Sequence, residues 1–161
     1  MMTDYAQGFY RRTTGLNRWD PDTRVAVDHI PGTTLSLLLH DLRYVDADGN
    51  THDALSGLIF DGGSKPIWSW SVIGHPWGDY LPAYAIHDQA YADIRQRITD
   101  EGDAYSERDR RRDRKYADKI FREAQIWLKR NLLDKSGSRW ERFVIRTKYR
   151  VVRIFARRNI A

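Results

Sequence analysis

His87 and Asp118 are the side chains whose type and setting best suit chemistry. His87 falls among apolar positions that recur at helical spacing. An imidazole held in such surroundings can act as a general base when a carboxylate fixes its tautomer and stabilises the imidazolium. Asp118 is a candidate for that carboxylate, because it stands beside Ala117 and Phe121 at the flank of a second apolar face. An antiparallel helix pair would bring the two together. Asp88 points about 100° away from His87 around its helix, which suits a ligand facing the Gly-rich segment upstream better than a buttress. With carbonyls of Gly62 and Gly63, the Asp88 carboxylate would offer hard oxygen donors suited to calcium rather than zinc. A structural reading fits the same residues: His87 as a satisfied buried side chain, and Asp61, Gly62 and Gly63 as a turn after a strand.

The string His-Asp-x-x-Tyr occurs twice, as His40-Asp41-Leu42-Arg43-Tyr44 and as His87-Asp88-Gln89-Ala90-Tyr91. The first copy lies in a strand-like run before a hairpin turn and is assigned to structure. The second follows a Gly-rich segment, lies on a helix and precedes the helix that carries Asp118.

Those residues need elements to hold them. Residues 1–23 have scattered apolar positions and read as a flexible basic arm. The segments 24–30, 35–45 and 51–60 have strand character, with a turn centred on Asp48-Gly49. Residues 61–82 are dense in Gly, Pro and Trp, the composition of a long ordered loop anchored by Trp68, Trp70 and Trp77. Tyr80, Ala83, Tyr84, His87, Ala90, Tyr91, Ile94 and Ile98 then mark a first helix reaching about Thr99. Ser106 can cap a second, whose apolar face runs from Tyr116 to Leu128 and which ends at the DKSGS break. A third, basic amphipathic helix is expected over 139–158, with Trp140, Phe143, Val144, Val151, Ile154 and Phe155 on one side and arginines on the other.

Composition sets the outer bounds. A chain of 161 residues with 41% hydrophobic and 30% charged residues is of single-domain size and too core-rich for disorder. Without cysteine it can have neither disulfides nor a thiolate metal site. No 18-residue apolar run and no signal-peptide core occur in the sequence, so neither a spanning helix nor classical export is expected. The net charge of +5 is concentrated in residues 139–161, which sum to +7 and leave −2 on the remainder. A basic tail on a near-neutral body suits an anionic surface. Nucleic acid has that charge in its favour but no recognised module.

The ordered segments Ser56-Gly57-Leu58-Ile59-Phe60-Asp61-Gly62-Gly63-Ser64-Lys65-Pro66, Ala85-Ile86-His87-Asp88-Gln89-Ala90-Tyr91 and Ala117-Asp118-Lys119-Ile120-Phe121 resemble a family of bacterial and phage proteins of unknown function. Its members carry a D-x-A-S-x-P segment, an H-D-x-x-Y helix, an A-D-x-x-F helix and a final basic helix; the similarity spans roughly residues 35–155. The helix pair alone also resembles secreted phospholipase A2 enzymes. That resemblance implies a water-activating His87, calcium held by Asp88 and loop carbonyls of Gly62 and Gly63, an orienting Asp118, and Tyr91 as hydrogen-bond partner of Asp118.

The expected fold is α+β: an N-terminal antiparallel β-hairpin or small sheet, then a three-helix, phospholipase A2-like part, in one domain over 24–161. The expected function is ester hydrolysis on membrane lipid, in a bacterial cytoplasm or phage particle. The alternative is a non-catalytic phage tail or virion component of the same fold, docking neighbouring subunits.

Overall fold

The computed structural model describes residues 5–13, 18–21, 24–33, 35–61, 79–132 and 146–147. Among these residues seven strands come first: β1 (Gly8–Thr13), β2 (Arg18–Pro21), β3 (Val27–His29), β4 (Ser36–Leu38), β5 (Leu42–Val45), β6 (Thr51–Ala54) and β7 (Ile59–Phe60). Helix α1 (Leu81–Glu101) follows, then a single 3-10 turn (Gly102–Ala104) and helix α2 (Glu107–Leu132).

The strands form two antiparallel sheets, one in the order β2-β1-β5-β6 and the other β3-β4-β7. This corrects the expected hairpin or small sheet. Residues read as an arm supply β1 and β2, because Phe9 and Tyr10 find burial only when β1 pairs with β5, in the register Phe9↔Tyr44. A short segment with two core residues carries no period of its own, so that role appears only beside its partner. The β5–β6 hairpin is closed by Asp46. Its carboxylate accepts the backbone N–H groups of Asp48 and Asn50, and Gly49 takes φ +82°, a conformation glycine adopts without steric cost.

The helical part is also corrected. Among the described residues two long helices stand where three were expected; the segment 139–158 lies outside the described residues except for Arg146 and Thr147, which are helical. Pro82 sits in the first turn of α1, where its missing N–H costs nothing. Six consecutive residues, Pro82 to His87, are buried. A helix enclosed on all sides at one end loses the one-sided pattern of a surface helix. Gly102 ends it in the left-handed region, with its N–H on the Ile98 carbonyl. Ser106 accepts the Asp109 N–H and caps α2.

The core joins Phe9, Leu42 and Tyr44 of the first sheet, Leu38 and Phe60 of the second, Ala83, Tyr84 and Ile86 of α1, and Ile120, Phe121, Ala124 and Leu128 of α2. Glu123 ties α2 to the hairpin, accepting the Ala47 N–H at 2.8 Å, Gln7 at 3.1 Å and the Tyr44 hydroxyl at 3.3 Å. One turn further along α2, Gly8 approaches so closely that a Cβ there would lie 2.9 Å from the Trp127 ring.

Candidate functional site

Helices α1 and α2 pack side by side, and their contact brings together residues that the sequence separates. His87 Nε2 lies 3.2 Å from Asp118 Oδ1, and Tyr91, one turn beyond His87, donates its hydroxyl to the same oxygen at 3.0 Å. All three residues are buried. The imidazole is held between rings, 4.5 Å from Tyr91 and 4.7 Å from Phe121 between centroids, so it cannot tilt without displacing core aromatics.

The other ring nitrogen is also engaged. His87 Nδ1 stands 3.4 Å from Asp88 Oδ1. Burial alone would push the imidazole toward its neutral form, but the hydrogen bonds and charges of Asp118 and Asp88 outweigh it and raise the His87 pKa above its ordinary value. An imidazole between two carboxylates is stabilised as its cation.

Asp88 occupies the opposite situation. Burial raises its pKa, and the nearby Asp61 charge adds to the rise; His87 and the backbone N–H of Asp61, which the Asp88 carboxylate accepts, offset this only in part. The same two carboxylates help burial push the Tyr84 hydroxyl upward. Asp61, Tyr84 and Asp88 thus form an oxygen-rich, electronegative corner beside His87. Asp61 is the last described residue before the Gly-rich segment; Gly62 and Gly63, expected to give calcium-binding carbonyls, lie outside the described residues, as do the tryptophans of that segment. Among the described residues no three His, Asp or Glu side chains gather as a metal cluster.

The first His-Asp-x-x-Tyr copy is built differently. Asp41 accepts the Ser56 N–H at 2.9 Å and Arg12 at 3.2 Å, fastening β1 to the turn after β6.

Residues 36–136 match a protein family described as a protein of unknown function, DUF1353. The chain belongs to DUF1353. The match takes in β4 through α2, and so both halves of the His87–Asp118 pair, whereas β1, β2 and β3 precede it. No curated protein and no solved structure matches the chain.

One residue pair in this region escaped sequence reasoning. His52 on β6 places Nε2 3.1 Å from Asp46 Oδ2 across the hairpin, a second histidine backed by a buried carboxylate. Its only signal in the sequence is a six-residue separation bracketing the Asp48-Gly49 turn.

Among the described residues no helix is long and apolar enough to cross a membrane.

Proposed function

We propose that this DUF1353 chain is a phospholipase A2-like ester hydrolase acting on anionic membrane lipid, with His87 as general base. The observation that carries this reading is the buried His87 Nε2–Asp118 contact of 3.2 Å, with Tyr91 locking the same carboxylate oxygen. That arrangement fixes the proton of the neutral imidazole on Nε2 and leaves Nδ1 as the basic atom.

Nδ1 faces Asp88, so a water can reach it only when the Asp88 carboxylate turns aside. The water then attacks the ester carbonyl while its proton passes to Nδ1, and the imidazolium is stabilised by Asp118. The same proton is returned to the leaving alkoxide.

The residues present fit a hard divalent cation: two mutually repelling carboxylates, Asp61 and Asp88, share a corner with Tyr84, and a cation would relieve the strain on Asp88. Asp88 would hold it, with carbonyls of Gly62 and Gly63 completing the oxygen set. Calcium so held would polarise the ester carbonyl and stabilise the oxyanion. The basic segment 139–158 would contact the anionic surface or a neighbouring subunit.

One observation favours a second reading. Because both imidazole nitrogens face carboxylates, the buried group also makes sense as a closed structural ion pair in a non-catalytic phage tail or virion component.

Release of fatty acid from anionic phospholipid vesicles, with and without calcium, separates the two. Hydrolysis in the wild type that is lost in His87→Ala and Asp88→Ala, with both variants folded by thermal melt, supports the enzyme. A folded wild type that releases nothing across pH and calcium concentration leaves the structural reading.

A further inference from the structure

A cleft of about 270 Å³ opens between β6 and the two helices, with His87 in its lining. Its floor is apolar, made by Ile86, Ala90 and Ile94 of α1 with Ala117 and Ile120 of α2. Its rim is polar, with His52, Asp53, Asp93, Arg97, Asp113 and Tyr116. Such a cavity suits a small ligand with a hydrocarbon body and one polar head. The rim decides the charge of that head.

Arg97 is the one Lys or Arg among the described lining residues, and its charge is matched by two carboxylates: Nε meets Glu101 at 2.9 Å and Nη1 meets Asp113 at 2.7 Å. It also lies 4.3 Å over the Tyr105 ring. Two of the three rim carboxylates are matched by guanidinium groups. Asp53 takes a two-pronged contact from Arg43 at 2.7 Å on each oxygen, and Asp113 is met by Arg97 and Arg112. Asp93 differs. Its contact is a neutral one, the Gln89 amide at 2.8 Å on Oδ1.

His52 adds an acceptor to this rim. Asp46, whose pKa is lowered by Asn50 and His52 hydrogen bonds against the pull of burial, remains a carboxylate opposite His52 Nε2. The tautomer that donates from Nε2 to this carboxylate has its lone pair at Nδ1, which has no partner among the described residues. Beside it, 5.8 Å between centroids, stands the Tyr116 ring, 45% exposed. An uncompensated carboxylate, an imidazole lone pair and an open aromatic face share one complement, an N–H-bearing cation.

We infer that this cleft is a binding site for a small organic ammonium ligand, with its apolar part on the Ile86–Ile94–Ile120 floor and its ammonium group among Asp93, His52 and Tyr116. His87 also lines the cleft, but the assignment uses neither Asp88 nor the Nδ1 atom of His87 and is tested without reference to hydrolysis.

Hexylammonium, hexanol and hexanoate share a hydrocarbon body and differ in the head, so titrating each into the full chain at low salt, followed by amide chemical shifts, reads the rim directly. Hexylammonium should bind, shifting amides of β6, α1 and α2 around the cleft, and should bind tighter than either analogue. Asp93→Asn, a change at an exposed position, and Tyr116→Ala should each weaken it by about threefold or more while melting as the wild type does. Equal or tighter binding of hexanol or hexanoate, no binding of hexylammonium to folded protein, or unchanged affinity in Asp93→Asn overturns the assignment.

Discussion

Asp118 faces His87 across the helix pair at 3.2 Å although thirty-one positions separate them in the chain, and Tyr91 holds the carboxylate in place through the oxygen that meets the imidazole. Tyr91 thus restricts the rotation of Asp118, while its ring packs on the imidazole at 4.5 Å between centroids. Asp118→Asn keeps the shape but replaces the charge that stabilises the imidazolium. Under the proposed reaction, Asp118→Asn should lower fatty-acid release by about 10²-fold or more, whereas Tyr91→Phe should cost less, roughly tenfold. Equal rates in the wild type and Asp118→Asn would remove the pair from catalysis.

The charge state of His87 yields a pH prediction. Its folded pKa is raised above the unfolded value, with burial opposing and the Asp118 and Asp88 hydrogen bonds prevailing. The stability it contributes is therefore fully present below about pH 6.5 and fades as pH rises through the folded value. Thermal melts of the wild type and His87→Gln should differ most at the acidic end of that window and converge above it. Hydrolysis, which needs the neutral base, should rise with pH with its midpoint above that of a free histidine. A stability gap that widens with pH would contradict the sign.

How far these relationships could be read from the chain alone differs from element to element. The His87 and Asp118 helices announce themselves, because each runs for many turns with apolar residues at helical spacing and the Ser106 cap marks where the second begins. The Asp48-Gly49 turn likewise fixes the β5–β6 hairpin locally. Strand β1 gives no such signal: Gly8, Phe9 and Tyr10 become core residues only through pairing with Val45, Tyr44 and Arg43, more than thirty positions away. The engagement of His87 Nδ1 by Asp88 was equally hidden. Neighbouring side chains on a helix diverge by about 100°, so their spacing gives no sign that the Asp88 carboxylate comes within 3.4 Å of the ring.

Gly8 offers a packing test of β1. A methyl group there would meet Trp127 Cζ2 at 2.9 Å, and Trp127 is itself fixed edge-on against Phe9 at 5.7 Å between centroids. The indole has little room to retreat. Gly8→Ala should destabilise the fold by about 1–3 kcal/mol through overpacking, seen as a lower denaturant midpoint. An unchanged midpoint would mean that β1 is not docked on α2 as described.

Asp46 is the buried carboxylate on which the hairpin turn closes. It accepts from the backbone of Asp48 and Asn50, from the Asn50 amide and from His52. These bonds lower its pKa despite burial, so the stability it contributes is present above the unfolded value and lost as pH falls through the folded one. Asp46→Ala should cost on the order of 2–3 kcal/mol at neutral pH, and the difference from wild type should shrink in acid. A loss that stays undiminished as pH falls through the lowered folded value would assign the effect to packing instead.

Gln125 presents the reverse case. It is fully buried on α2, and neither its amide nitrogen nor its amide oxygen has a hydrogen-bond partner among the described residues. A buried amide without partners forfeits its hydration and gains nothing in exchange, so the fold carries a penalty of roughly 1–3 kcal/mol at this position. Methionine has nearly the same length and flexibility and brings no polar group to desolvate. Gln125→Met should therefore raise the denaturant midpoint without changing the slope of the transition, the mark of a stability change in a fold of unaltered compactness. Asp118 lies two turns earlier on the same side of α2, far enough that the substitution should leave the His87 geometry intact. Destabilisation by Gln125→Met, together with retained stability in Gln125→Glu, would show that the amide is met by a polar group or water, and the penalty assigned to it would fall.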